Sequence, residues 1–270
     1  MGTIRIGWIG TGVMGGAMAA HLLVAGFPLT VTSRTRAKAD ALIAAGARWA
    51  ATPAELAAQS EVVFSIVGGP SDVEEVHLGP HGTLRAGALP RLIVDMTTSS
   101  PDLAVRLARE AAAVGVGSVD APVSGGDVGA RNATLSIMCG GRQADFEQAE
   151  PLLKHLGKTI TLQGGPGAGQ HTKCVNQILI AGTMLGLAEA MNYARVAGLD
   201  AARVLQAVGG GAAGSWALAN LAPRVLRGDS GPGFFIEHFV KDLRIALDEA
   251  VRLKLDARMV RLAEQTYAAL

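Results

Sequence analysis

The chain has 270 residues, 49% hydrophobic and 17% charged, enough apolar material for a sizeable core and too much for a disordered chain. Lys and Arg number 24 against 23 Asp and Glu, a net charge of +1, so electrostatics gives no case for nucleic acid or an anionic membrane as partner. Two cysteines, Cys139 and Cys174, and six scattered histidines exclude a disulfide framework and predict no metal site, leaving a small molecule as the expected ligand.

In chain order, short β-branched runs alternate with Ala-rich helical stretches, as in a doubly wound parallel sheet with helices on both faces. Strands are predicted at 4–9, 29–32, 62–67, 92–95, 117–119, 134–139 and 159–162, with helices at 13–25 and 144–156 among those between them. The first strand runs directly into Gly10-Thr11-Gly12-Val13-Met14-Gly15. In this order Gly10 permits the tight turn, Gly12 lets backbone N–H groups approach a pyrophosphate, and Gly15 lets the helix pack closely on the sheet. The phosphates would sit at the positive helix end near Val13. Strand, glycine turn and helix together predict a Rossmann-type dinucleotide site. The same glycines interrupt the apolar N-terminal stretch, which argues against an export signal and for a cytoplasmic protein.

The second strand ends in Ser33-Arg34-Thr35-Arg36, with no acid before Asp40. An NAD site usually places Asp or Glu here for the ribose hydroxyls, whereas a guanidinium and two hydroxyls suit a 2′-phosphate. NADP(H) is therefore expected in preference to NAD(H), the rival reading being that Arg34 and Arg36 are solvated loop cations.

Two strand ends carry further polar groups. Residues 95–101, Asp-Met-Thr-Thr-Ser-Ser-Pro, either bring hydroxyls to a ribose or substrate or simply cap the helix that begins at Ser100-Pro101. Residues 120–126, Asp-Ala-Pro-Val-Ser-Gly-Gly, either offer a hydroxyl and backbone N–H groups to a carboxylate or form a plain glycine turn.

Residues 163–169 are the clearest break in the chain, so the expected domains are a dinucleotide-binding domain over 1–164 and an all-helical substrate and dimerisation domain over 165–270. A long helix is predicted over 170–197, stopped by Gly198. It carries Lys173 on its first turn, with Asn176 and Gln177 three and four residues on, along one face. A lysine there opposes the helix dipole, which points to function rather than to a side chain snorkelling to solvent. The helix is apolar nearly all round, yet Lys173, Asn176 and Glu189 interrupt it. Burial between domains or subunits is expected, not a membrane span. Further helices are predicted at 201–208, 215–225, 239–254 and from 257.

With residues 7–15, 120–126, 167–177 and 234–243, the last ending in Lys241-Asp242-Leu243, nearly the whole chain resembles the β-hydroxyacid dehydrogenase family, which includes 3-hydroxyisobutyrate dehydrogenase and tartronate semialdehyde reductase. The resemblance implies that Lys173 is catalytic and that Ser124, Gly125, Gly126 and Asn176 contact a small carboxylate substrate. Gln177, counted with them, stands where several relatives have a second Asn. It also implies that Val67, Gly68 and Thr98 line the cofactor and that Lys241 reaches toward it. Gly68-Gly69-Pro70 departs from the family's usual Pro-Asn order.

The implied reaction moves hydride between NADP(H) and a 3-hydroxy acid or its semialdehyde, with the Lys173 ammonium protonating the developing alkoxide during reduction. Oxidation needs neutral lysine; an unperturbed one titrates near about 10.4, so that direction requires a lowering environment or alkaline solution. Two rivals stand beside this reading: an imine reductase on a similar fold, against which Lys173 argues, and a non-catalytic NADP(H) sensor. A homo-oligomer, dimer or tetramer, is expected.

Overall fold

The computed structural model describes residues 4–229, 231 and 233–270. It begins with β1 (Ile6–Ile9), α1 (Val13–Val24), β2 (Leu29–Thr32), α2 (Asp40–Ala44), β3 (Arg48–Trp49) and α3 (Pro53–Ala58). Next come β4 (Val62–Ser65), α4 (Pro70–Leu78), β5 (Leu92–Asp95), α5 (Pro101–Ala113), β6 (Gly117–Asp120), β7 (Val123–Ser124) and α6 (Gly126–Arg131). The sheet ends with β8 (Leu135–Gly141), α7 (Gln143–Leu153) and β9 (Gly157–Gly164). Helices follow: α8 (Ala168–Val196), α9 (Ala201–Gly209), α10 (Trp216–Asn220), α11 (Ala222–Leu226), α12 (Ile236–Arg252) and α13 (Arg258–Ala268). Two compact units result, Met1–Cys174 and Val175–Leu270.

β1, β2, β4, β5 and β6 are buried at every position because the sheet is covered on both faces. Phe64 and Val94 join Trp8, Met18 and Leu22 on one side, while their strand neighbours Val63 and Ile93 pack against Leu56 and Leu107 on the other. Trp8 and Phe64 are register partners on adjacent strands, and their rings stack with centroids 5.4 Å apart. The strand order β3-β2-β1-β4-β5-β6 is parallel throughout and reverses direction of growth between β1 and β4. Ligands in such sheets bind outside the carboxyl ends of the strands at that reversal.

Three expectations need correction. The sheet is not wholly parallel, because β8 runs antiparallel to both β6 and β7, and β9 then pairs parallel with β8. Between Asp120 and Leu135 the chain forms β7 and the short α6 instead of a crossover over the sheet, and α6 turns toward α1, where a His21 ring nitrogen lies 3.0 Å from the Ala130 carbonyl. The helix predicted at 215–225 is two, broken at Leu221 just ahead of Pro223, whose ring cannot continue the preceding helix. The long helix begins at Ala168, which puts Lys173 in its second turn, not its first, where the dipole acts less strongly.

In the second unit, α8 packs Leu187 against Ala217 and Ala222, and Phe239 of α12 meets Tyr267 of α13 edge-on at 4.9 Å. α8 is long and apolar enough to cross a membrane by length and composition, and only 17% of its most apolar stretch is buried. Within this chain α8 is buried along one side only: Gln177, Ala181, Leu187 and Ala194 are buried, whereas Val175, Leu179, Tyr193 and Val196 are exposed.

Two neighbouring glycines in α1 behave differently. A Cβ on Gly15 would run into the Gly10 carbonyl oxygen, whereas one on Gly16 would meet nothing nearer than the Thr11 carbonyl oxygen at 3.6 Å. Gly15→Ala should destabilise by about 1–3 kcal/mol through overpacking. Gly16→Ala should stabilise by about 0.5–1 kcal/mol through helix propensity. Urea unfolding of both variants checks the opposite signs.

Candidate active site

The glycine loop after β1 is built around an open space. Gly10 has φ +95°, which only glycine adopts without strain, and its missing side chain lets the Ile66 carbonyl approach. A Cβ at Gly12 would meet no protein atom within 4 Å, so that side of the loop faces open space. No side chain caps α1, and Val13 at its first position is 65% exposed, leaving the first-turn N–H groups to an outside partner. Met14 is half-buried, and Thr11 is buried with an Oγ1 that has no hydrogen-bond partner among the described residues. A cradle bare of side chains with backbone donors on its rim fits a dinucleotide pyrophosphate.

The neighbouring strand ends bring the other expected cofactor residues to the same side of the sheet. Val67 and Gly68 follow β4, and the Val67 N–H donates to Thr97 Oγ1 at 3.0 Å, which ties them to the loop after β5 that holds half-buried Thr98. After β2, Ser33 is half-buried and Thr35 exposed. Arg34 lies 3.2 Å from Asp72 on α4 with its side chain 84% exposed, and a Cβ on Gly68 would come within 3.9 Å of its guanidinium. Arg36 instead lies over the Trp49 ring, 5.6 Å from its centroid.

Behind these loops runs a buried polar chain that sequence reasoning missed. Ser65 Oγ donates to Asp95 Oδ1 at 2.7 Å and lies 2.8 Å from His77 Nε2, while His77 Nδ1 lies 2.9 Å from Thr83 Oγ1. With Asp95 ionised, the Ser65 proton faces the carboxylate, so His77 must donate from Nε2 and accept the Thr83 hydroxyl proton at Nδ1. Burial holds the His77 imidazole neutral, its pKa lowered to about 3. Burial also raises Asp95 to about 6, against the opposing hydrogen bonds from Thr97 and Ser65. The available signal was a serine closing the apolar run of β4 and an aspartate closing β5.

Lys173 is the best-placed polar group in the first unit. It is 7% exposed, and its Nζ donates to the Val123 carbonyl at 2.7 Å. The ammonium is thereby held one residue from Ser124, which is half-buried and followed by Gly125 and Gly126 at φ +132° and +62°. Asp120, at the end of β6, accepts from the N–H groups of Gly167 at 2.8 Å and Gln170 at 2.9 Å, fixing the start of α8. Burial raises the Asp120 pKa, and these two backbone bonds oppose the rise. Cys139 is buried nearby, its thiol pushed up to about 12 by desolvation, and so is unreactive.

In the second unit, half-buried Asn176 donates from Nδ2 to Gln177 Oε1 at 2.8 Å, and buried Gln177 donates from Nε2 to Asp242 Oδ2 at 2.7 Å. Both ends of the Gln177 amide are therefore engaged with protein. The Lys241 ammonium lies 3.0 Å from Asp242 Oδ1, an ion pair by distance although that oxygen makes no well-aligned hydrogen bond among the described residues. Among the described residues no group of three or more His, Cys, Asp or Glu could hold a metal.

A sequence model described as the NAD binding domain of 6-phosphogluconate dehydrogenase matches residues 5–165, and one described as NAD-binding of NADP-dependent 3-hydroxyisobutyrate dehydrogenase matches residues 167–270. An Arabidopsis thaliana protein named 3-hydroxyisobutyrate dehydrogenase-like 1 is 48% identical over 98% of this chain and 80% of its own length. The 2-hydroxy-3-oxopropionate reductase of Escherichia coli is 42% identical over 94% of this chain and 86% of its own. Among solved structures, Mycobacterium tuberculosis 3-hydroxyisobutyrate dehydrogenase with L-serine superposes at a TM-score of 0.91, with 29% identity over 99% of this chain and 94% of that one. A Streptomyces aurantiacus imine reductase gives 0.70 and 25% over 98% and 93%.

The buried chain through His77 makes stability depend on pH. The unfolded chain binds a proton at His77 below its ordinary pKa of 6.5 and the folded one only near 3, so this contribution is lost as pH falls across that window. Asp95 acts oppositely, its contribution falling as pH rises from its ordinary 3.8 to about 6. The stability difference between wild type and His77→Gln should therefore shrink between pH 6.5 and 4, by up to about 1.4 kcal/mol per pH unit. Urea titrations across that range test it, and a gap independent of pH would contradict a neutral buried imidazole.

Proposed function

Because the chain belongs to the family of NAD(P)-dependent hydroxyacid dehydrogenases that includes 3-hydroxyisobutyrate dehydrogenase, we propose that it interconverts a small 3-hydroxy acid and its semialdehyde with NADP(H). The observation that carries this reading is the buried Lys173 ammonium, anchored on the Val123 carbonyl beside Ser124, Gly125 and Gly126.

The Gly10–Met14 cradle would hold the pyrophosphate of a nicotinamide cofactor, which would supply the hydride. An ammonium has three donors; Val123 takes one and fixes the head group, and a second aimed at the substrate oxygen protonates the developing alkoxide. The Ser124 hydroxyl with the Gly125 and Gly126 N–H groups holds the substrate carboxylate, which orients the reacting carbon. Asn176, steadied by Gln177, contributes a further substrate contact, and Lys241 reaches the cofactor. Val67, Gly68 and Thr98 would line the cofactor, and Ser33, Arg34 and Thr35 would take the 2′-phosphate, Arg34 exchanging its exposed partner Asp72 for it.

The substrate class follows from what the relatives are named for. 3-Hydroxyisobutyrate, 2-hydroxy-3-oxopropionate and the L-serine of the Mycobacterium structure all place an oxygen on the carbon two bonds from a carboxylate. The imine reductase resemblance is the weaker one by TM-score, and Lys173 argues against it because such enzymes generally lack a lysine there. We further infer that a second copy of the chain covers the exposed apolar side of α8. A cytoplasmic location is part of the same proposal.

Turnover is tested by loss of NADPH absorbance with 2-hydroxy-3-oxopropionate, methylmalonate semialdehyde and succinate semialdehyde, ranked by kcat/KM; silence across the panel would favour a sensor. Lys173→Ala should cut kcat by about two to four orders of magnitude while leaving NADPH binding intact. Near wild-type turnover in that variant would remove the proton-donor role. Arg34→Asp should move preference from NADPH toward NADH by about tenfold or more, consistent with losing a charge-assisted pair to phosphate. An unchanged ratio of kcat/KM for the two cofactors would undo the 2′-phosphate assignment.

A further inference from the structure

We propose that Gln170 is a positioning residue that locks the loop carrying Thr98 to the helix carrying Lys173, so that cofactor and proton donor are held in one register; the catalytic part of this rests on the dehydrogenase reading above. Gln170 is 0% exposed. Its Nε2 donates to the Thr97 carbonyl at 2.8 Å and its Oε1 accepts from the Ser99 N–H at 2.9 Å. One carboxamide thus binds the peptide groups on either side of Thr98.

The orientation of that amide is forced. A backbone N–H only donates and a carbonyl only accepts, so the Gln170 oxygen must face Ser99 and its nitrogen must face Thr97. The Gln170 backbone N–H meanwhile donates to Asp120 Oδ2, which binds the same residue to the end of β6. On its other side the loop is held by β4 and β5, since the Thr97 N–H donates to Asp95 Oδ1 at 3.2 Å and Thr97 Oγ1 accepts from Val67. Ser99 Oγ is buried with no hydrogen-bond partner among the described residues, so this tie runs through backbone and through Gln170. Lys173 follows three residues later on the same helix face. A polar side chain that leaves solvent entirely to bridge two loop peptides gives Thr98 and Lys173 a fixed spacing, and misplacement by about 1 Å can cost about a hundredfold in rate.

Two variants test the lock. Gln170→Met keeps the length and loses both polar ends. Its kcat should fall about 10- to 100-fold. The semialdehyde KM should move by less than about threefold, because Ser124, Gly125 and Gly126 lie outside the loop that Gln170 holds. Gln170→Glu keeps the shape, but its carboxyl can donate to the Thr97 carbonyl only when protonated. The charged groups around it are Asp95 and Asp120 from the sheet and Lys173 on its own helix, and burial beside two acids raises the introduced carboxyl. Activity of Gln170→Glu relative to wild type should therefore recover as pH falls, whereas the relative activity of Gln170→Met stays flat. A merely space-filling glutamine would give no such recovery.

Amide hydrogen exchange supplies a readout independent of turnover. In Gln170→Met, exchange at Ser99 and across residues 96–100 should accelerate at least about tenfold, as for a lost local hydrogen bond, with β1 and β4 unchanged. Unchanged exchange at Ser99, or kcat within about twofold of wild type in Gln170→Met, overturns the lock. Absence of turnover in the wild type overturns the dehydrogenase reading alone, and the exchange result then still decides the structural tie.

Discussion

At the end of β6, Asp120 gives one carboxylate oxygen to the Gly167 N–H and the other to the Gln170 N–H, and with those two bonds the start of α8 is set on the sheet. Orphan N–H groups at a helix start need acceptors, and a carboxylate both satisfies them and favours the positive helix end. The approach is so close that a Cβ on Gly169 would strike the Met138 carbonyl, and one on Gly140 would lie 2.6 Å from Asp120 Oδ1 and from the Gly169 nitrogen. Backbone therefore rests on backbone. From that seat the first turn of α8 delivers the Gln170 side chain to the loop after β5, and the second delivers the Lys173 ammonium to the carbonyl of Val123.

The carboxyl ends of β1, β4 and β5 gather the glycine cradle, Val67 and Gly68, and Thr98, while the stretch from β6 to β7 brings Ser124 beside the lysine. In the proposed reduction a hydride donor and a proton donor face one carbonyl group, a demand that adjacent strands of a rigid sheet meet better than flexible loops. The second unit repeats the logic with a single carboxylate: Asp242 binds Gln177, which steadies Asn176, and draws Lys241 to its other oxygen. Lys173, Asn176 and Lys241 are each held by a protein neighbour.

Local order was legible in the sequence and long-range partnership was not. The strands at 29–32 and 92–95 fell where their apolar and β-branched residues placed them, since such side chains suit a buried pleated surface. β3 and β7 have two residues each, too few for any period to show, and nothing in the apolar run of β8 carries strand direction. The start of α8 was read two residues late because its cap is supplied by Asp120, far earlier in the chain, and not by a local Ser or Asp. Gln170 escaped notice for the same reason: its partners Ser99 and Thr97 lie 71 and 73 positions away. The motif residues drew attention through resemblance and spacing, whereas the groups that orient them are single polar residues inside apolar stretches.

A junction made of peptide against peptide has a consequence for redesign. Because neither Gly140 nor Gly169 can accept even a methyl group without moving main chain, this part of the molecule offers no gradual route of adjustment, and any substitution there alters everything seated on it at once. Adaptation to a larger or differently shaped metabolite has to come from side chains that border open space, with the glycine junction left as it stands.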